Sequence, residues 1–131
     1  MEVITVRTNR QTEFVDITQE VAQVVEKARV KSGICFLYCP HTTGGIIINE
    51  GADPAVAEDI ISVLNQVVPW KFNYRHLEGN SPAHVKASLT GPGTFVFIEE
   101  GRLKLGTWQR IFFAEYDGPR TRKLWVKIMG E

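Results

Sequence analysis

The chain has 131 residues, 44% of them hydrophobic, and its 15 basic and 15 acidic residues cancel. That length suits one domain, residues 1–131, with a core large enough to fold without a disulfide or structural metal. Zero net charge argues against a bulk nucleic-acid binder, no apolar run reaches the ~18–20 residues of a membrane span, and the opening MEVITVRTNR lacks the form of a signal peptide, so cytoplasmic residence is expected.

In chain order, Val3–Thr8 alternates apolar and polar residues, which predicts a half-buried strand. EFVDI, Glu13–Ile17, reads as its hairpin partner, and Asp16 as the cap of a helix. Ile17, Val21, Val24, Val25 and Ala28 give that helix one apolar stripe over about four turns, and Gly33 ends the connection. ICFLYC, Ile34–Cys39, is nearly all apolar, which predicts a strand buried on both faces and stopped by Pro40. Along a strand rising ~3.3 Å per residue, Cys35 and Cys39 lie about 13 Å apart, too far for a disulfide, so both are expected reduced and buried.

GGIIIN, Gly44–Asn49, starts another strand after a glycine pair. Asp53 and Pro54 form an N-cap and first helical residue, with Val56, Ile60, Ile61, Leu64 and Val67 as the buried stripe and Pro69 beyond the end. Ser81–Pro82 repeats that signature for a short helix closed by Gly91. TFVFIE, RLKLG, TWQRIFFAEY and RKLWVKIM then read as strands. In the third, Trp108, Arg110 and Phe112 should face opposite to Gln109, Ile111 and Phe113. Strands gathered at the C-terminus favour an α+β fold with largely antiparallel pairing.

Polar, proton-handling groups concentrate in residues 40–54, 73–86 and 105–120, and all three histidines fall in the first two of these. Imidazole is both the commonest side-chain metal ligand and a group that titrates near neutrality. His41 ends a buried strand, His76 lies in a loop, and His84 sits one turn into a helix. If these ends converge, they offer a three-histidine metal site with an open position. The same segments offer parts for an anion: the helix starts at Pro54 and Pro82, Gly44–Gly45, Gly79–Asn80–Ser81, the hydroxyls of Thr42 and Thr43, and the Arg120 fork. Arg120, Arg122 and Lys123 suggest a local basic patch. Glu50, Asp53, Glu78, Glu115 and Asp117 are candidate bases or metal partners, although Asp117–Gly118–Pro119 is also a turn signal. Trp108 and Gln109 could line a pocket.

HTTGGIIINEGADPAVAED, HLEGNSPAHVKASLTG and GRLKLGTWQRIFFAEYDGPRTRKLWV resemble the secondary thiamine-phosphate synthase family, the YjbQ-like proteins, in order and over nearly the whole chain. The resemblance implies a compact α+β domain with a mostly antiparallel β-sandwich and two to three helices, assembled as a homotrimer. Trp108, Phe113 and Trp125 on the aromatic-rich last strands would serve that assembly. It also implies a polar pocket for a phosphorylated small molecule. There His41, His76 and His84 would hold a divalent ion, zinc or magnesium, and His41, His84 and Glu78 would be catalytic. Thr42, Thr43, Asn49, Glu50, Asn80, Ser81, Gln109, Asp117 and Arg120 would bind substrate. The implied reaction couples hydroxymethylpyrimidine diphosphate to thiazole phosphate with release of pyrophosphate. Two alternatives fit the same residues: a metal-dependent hydrolase or other enzyme of phosphorylated metabolites, and a non-catalytic ligand-binding module.

Overall fold

The computed structural model describes residues 1–131. Along the chain come strands β1 (Glu2–Arg7) and β2 (Glu13–Asp16), helix α1 (Thr18–Ala28), strands β3 (Gly33–Tyr38) and β4 (Gly44–Glu50), and helices α2 (Pro54–Val67) and α3 (Ser81–Thr90). Strands β5 (Gly93–Glu99), β6 (Arg102–Leu103), β7 (Gln109–Glu115) and β8 (Thr121–Gly130) complete it. The strands form a five-stranded sheet, β1-β8-β3-β5-β6, and a three-stranded sheet, β2-β7-β4, with every pairing antiparallel. This is the α+β sandwich expected, with three helices.

Strand alternation decides what each sheet buries. Val6, Cys35, Leu37, Val96, Ile98, Leu124 and Val126 project from the larger sheet into one core, where they meet Ile46, Ile111 and Phe113 of the smaller. Ile17, Val21 and Val25 of the α1 stripe close the same core. The other face of the smaller sheet is covered too, because Ala83 and Ala87 of α3 pack on Ala114 and Tyr116, with Leu64 and Trp70 alongside. β7 is therefore buried on both faces from Ile111 to Glu115.

Several sequence expectations change. β2 does not pair with β1; it crosses to the other sheet and pairs with β7, Glu13 opposite Glu115. Ile17, not Asp16, occupies the cap position of α1, and Asp16 just before it accepts through Oδ1 from the Thr18 amide at 3.0 Å and the Thr18 hydroxyl at 2.7 Å. β3 is buried on one face only: Cys35 and Leu37 point inward, while Phe36 and Tyr38 lie 39% and 49% exposed. Their neighbours Phe95, Phe97 and Trp125 are exposed as well, so the apolar run reflects an uncovered aromatic sheet face. The α2 stripe is only half-buried, and Val67 is 65% exposed. Asn80, not Ser81, occupies the cap position of α3, and Ser81 is its first residue. RLKLG contributes only the two residues of β6.

Both cysteines are free and buried as expected. Burial pushes the Cys35 thiol up to about 11 and raises that of Cys39. No helix is long and apolar enough to cross a membrane.

The two phenylalanine environments predict opposite responses to truncation. Phe113→Ala, at a fully buried position, should cost about 3–5 kcal/mol in urea unfolding. Phe97→Ala, 56% exposed, should cost the isolated protomer less than about 1 kcal/mol. Equal losses would contradict the sandwich orientation.

Candidate functional site

β3 ends where Tyr38 pairs with Trp125. β8 extends beyond that point, so its amides on the β3 side there need another partner. The His41 ring supplies one, its Nε2 accepting from the Lys123 amide at 2.9 Å. An imidazole thus stands where a neighbouring strand would present a carbonyl. The ring also packs edge-on to Phe113, 6.5 Å between centroids. Burial, and then the Arg122 guanidinium, push the His41 pKa down and keep the ring neutral.

Beneath His41 lies a sealed ion pair. On β7 the inward residues run Ile111, Phe113, Glu115, and on β8 they run Val126, Leu124, Arg122, so two apolar series end in opposite charges at the same rim. Glu115 is 0% and Arg122 5% exposed. Glu115 Oε1 accepts from Arg122 Nε at 2.8 Å and from the Thr8 hydroxyl at 2.8 Å. Its Oε2 accepts from Arg122 Nη2 and from the Asp117 amide at 3.1 Å. Arg122 Nη2 also donates to Thr43 Oγ1 at 2.8 Å. Burial alone would push the Glu115 carboxyl up, but the hydrogen bonds from Arg122, Asp117 and Thr8 together with the Arg122 charge hold it below the usual carboxylate range.

The turn from β7 to β8 is built on this pair. Arg120 donates through Nε to the Asp117 carbonyl at 2.7 Å and through Nη2 to Asp117 Oδ2 at 3.0 Å. Asp117 Oδ2 also accepts from Asn80 Nδ2 at 3.0 Å, which ties the start of α3 to the turn. Asn80 Oδ1 is buried and has no partner. Gly79, with φ +82°, makes the bend that delivers Asn80 and Ser81 to the helix start, a backbone region costly for other residues. One turn on, His84 faces the loop residue His76, their rings 5.4 Å apart. His84, Ser88, His41 and Thr42 line one open cleft of about 330 Å³.

The cleft therefore unites His41, Thr42 and His84, with His76 against His84 and the Asn80–Asp117–Arg120 cluster joined through hydrogen bonds. Glu78 is exposed on the loop between His76 and Asn80, and Ser81 is half-buried. Other expected members lie elsewhere. In β4, Gly44 pairs with Glu115 at the cleft end, while Glu50 pairs with Gln109 and Asn49 with Arg110 at the far end, on the order of 20 Å along the strand. Gln109 Oε1 is occupied by the Gly106 amide at 2.8 Å, and Trp108 is 63% exposed beyond that same end. Asp53 caps α2, accepting from the Ala55 amide at 2.9 Å. The Thr43 hydroxyl faces Arg122 and not the cleft. Arg122 is interior, so the basic patch reduces to Arg120 and Lys123. Glu115 has both oxygens engaged and is no free base. Gly44 lines the cleft beside Thr42, whereas Gly45 packs against the end of α3, where a Cβ would stand 2.6 Å from the Gly91 carbonyl.

Two imidazoles on one tetrahedral ion with ~2.0–2.1 Å bonds have ring centres about 5 Å apart, and His76 and His84 match that spacing at 5.4 Å. No set of three or more His, Cys, Asp or Glu side chains in the chain is placed to hold one ion. His41 has Nε2 engaged by Lys123, which leaves only Nδ1. The expected three-histidine centre is thus not assembled within one chain; a histidine pair is.

An antiparallel α+β sandwich with a histidine-lined cleft at one rim defines the class. Residues 2–131 match the family described as UPF0047 protein YjbQ-like, and the chain belongs to that family. It is 51% identical to a UPF0047 protein of Methanocaldococcus jannaschii, covering 96% of this chain and 91% of that one. It is 46% identical to YugU of Bacillus subtilis, covering 99% of each. A crystal structure of a YjbQ/UPF0047 protein from Clostridium acetobutylicum superposes with a TM-score of 0.97 at 49% identity, over 98% of this chain and 100% of that one.

The Glu115 environment predicts an acid-sensitive fold. A carboxyl lowered in the folded state adds stability above its unfolded pKa and loses it as pH falls through the folded value. Glu115→Gln should therefore cost about 3 kcal/mol or more near neutrality, by leaving Arg122 buried and unpaired. That penalty should shrink as pH drops below ~4.3, the ordinary glutamate value. Urea unfolding of both proteins at pH values from below to above ~4.3 checks it; a pH-independent difference would contradict the assignment.

Proposed function

We propose that this chain is a transferase acting on phosphorylated heterocycles, coupling hydroxymethylpyrimidine diphosphate to thiazole phosphate at the cleft between His41 and His84. The observation that carries this is the meeting of His41 and His84, from separate segments, on one open cleft. The family motifs described above support the specific reaction. In it, the thiazole nitrogen forms a bond to the pyrimidine methylene carbon. The carbon–oxygen bond to pyrophosphate breaks, and pyrophosphate leaves with the electron pair. No proton need move, so the protein's task is to place two substrates and to stabilise opposite charges as they develop.

The residues have distinct parts in this scheme. His41, neutral and with Nε2 engaged, has Nδ1 left to donate to a phosphate oxygen. His84 and Arg120 add positive or donor groups at the same rim. Asn80 acts from beneath, holding Asp117 and the start of α3 in place through Nδ2. Thr42 and Ser81 offer hydroxyls. The exposed Glu78 carboxylate and Asp117 would balance the thiazolium charge of the product. A divalent ion on His76 and His84 would supply further neutralisation of the leaving pyrophosphate, and an imidazole pair suits zinc better than magnesium. That histidine spacing is also what favours a second reading, a metal-dependent hydrolase of phosphate esters in the same cleft.

We also infer a homotrimer. Phe36, Tyr38, Phe95, Phe97 and Trp125 leave an aromatic face uncovered on the five-stranded sheet, and such faces mark interaction sites. Trp108 and Trp125 are exposed, whereas Phe113, also expected at the interface, is core. Light scattering at micromolar concentration should give three times the 14.8 kDa chain mass; a monomer would contradict it.

Mixing both thiamine precursors with the protein should yield thiamine phosphate and pyrophosphate. His84→Ala should lower turnover by about 10²-fold, the loss typical of one donor to a developing charge. Product formation unaffected by His84→Ala, or none from the wild type, would overturn the transferase. Metal-dependent phosphate release from one precursor alone would favour the hydrolase.

A further inference from the structure

The β3–β4 loop, which carries His41 and Thr42 into the cleft, is fastened together with two neighbouring connections to one carboxylate–guanidinium pair that does not itself line it. Thr8, just past β1, joins through its hydroxyl on Glu115 Oε1. The same hydroxyl accepts from the Arg120 amide at 2.8 Å and lies 3.1 Å from the Arg120 carbonyl. The β7–β8 turn joins through the Asp117 amide on Glu115 Oε2. The loop between β3 and β4 joins through Thr43 Oγ1, held at 2.8 Å by Arg122 Nη2, with the Thr43 carbonyl at 3.4 Å from the same nitrogen. Thr43 is two residues from His41, and Arg122 precedes Lys123, whose amide fixes the His41 ring. The chain around His41 is thus held at two points by neighbouring residues of β8.

We propose that Thr43, Arg122 and Glu115 are positioning residues for the cleft, acting through His41: the Arg122–Thr43 bond holds the β3–β4 loop so that His41 Nε2 stays on the Lys123 amide and the ring keeps one orientation towards the cleft. The effect on turnover rests on the transferase reading; the effect on His41 does not. A loop that only needed burial could use an apolar residue at position 43. Here the hydroxyl of a buried threonine is aimed at an arginine already bound by a carboxylate. Glu115 fixes the plane of the guanidinium through Nε and Nη2, which leaves Nη2 directed at Thr43. The linkage is therefore directional, and a bulk-conserving apolar replacement breaks it without opening a cavity.

Thr43→Val is the test, because it keeps the ion pair and the side-chain volume. Amide hydrogen exchange and imidazole ¹⁵N spectra are recorded for the full chain, with turnover measured on both precursors. Lys123 should exchange about 5-fold faster or more, the loss expected from weakening one hydrogen bond, while Cys35 and Val96 in the sheet centre keep wild-type exchange. The His41 nitrogen signals should move. The turnover number should fall about 10-fold or more with KM little changed, as for misplacement of a reacting group. Thr43→Ser should restore all three. If Thr43→Val does not fold, Arg122→Lys is measured the same way, since an ammonium keeps the charge and loses the fork. Wild-type exchange at Lys123 together with unmoved His41 signals in a folded variant would overturn the proposal. A wild type without turnover would sink the transferase reading alone, because exchange and imidazole signals still decide the positioning.

Discussion

An acid and a base sealed between two sheets must find all their hydrogen-bond partners inside, because water cannot reach them. Glu115 does so at the rim of the sandwich, where Arg122, the Thr8 hydroxyl and the Asp117 amide engage both its oxygens, and Arg122 binds Thr43 besides. The cost of drying two charges is offset only if that geometry is kept. Each partner belongs to a different connection, so keeping the geometry means keeping the end of β1, the β3–β4 loop and the β7–β8 turn in fixed relation. The ion pair is a weak source of net stability and a strong source of specificity in the arrangement of loops.

The consequence for the cleft follows directly. His41 is held by β8 in the same stretch as Arg122, and α3 is held at its start by Asn80 on Asp117. Asp117 is itself placed by Glu115. His84 and the cleft wall come with α3, whose alanines lie flat on β7. A rigid antiparallel core thus carries its polar groups on loops at one end, with those loops braced from beneath.

Much of this was legible in the sequence. The alternation of the strands, the Asp53–Pro54 helix start and the α1 stripe each follow from local spacing, and each is found. What failed were inferences about partners across the fold. EFVDI could not announce that it would leave β1 for β7. ICFLYC could not separate a second buried face from an uncovered one. Asn49 and Glu50 share a motif with His41, and Gln109 shares one with Asp117 and Arg120, but a strand carries near neighbours in sequence to opposite ends of a sheet. The ion pair did leave a trace: Glu115 continues the inward parity of Ile111 and Phe113, and Arg122 that of Leu124 and Val126. Charges on core parity signal a buried network, whereas the basic cluster at residues 120–123 suggested a surface.

If a phosphorylated ligand binds at the rim braced by Glu115 and Arg122, as proposed, backbone NMR of the full chain titrated with pyrophosphate should show saturable shifts concentrated at His41, Thr42, Asn80, His84 and Arg120, with Asn49, Glu50 and Gln109 unmoved in the same protomer. Shifts centred on the Glu50–Gln109 end, or none at the histidine cleft, would contradict it.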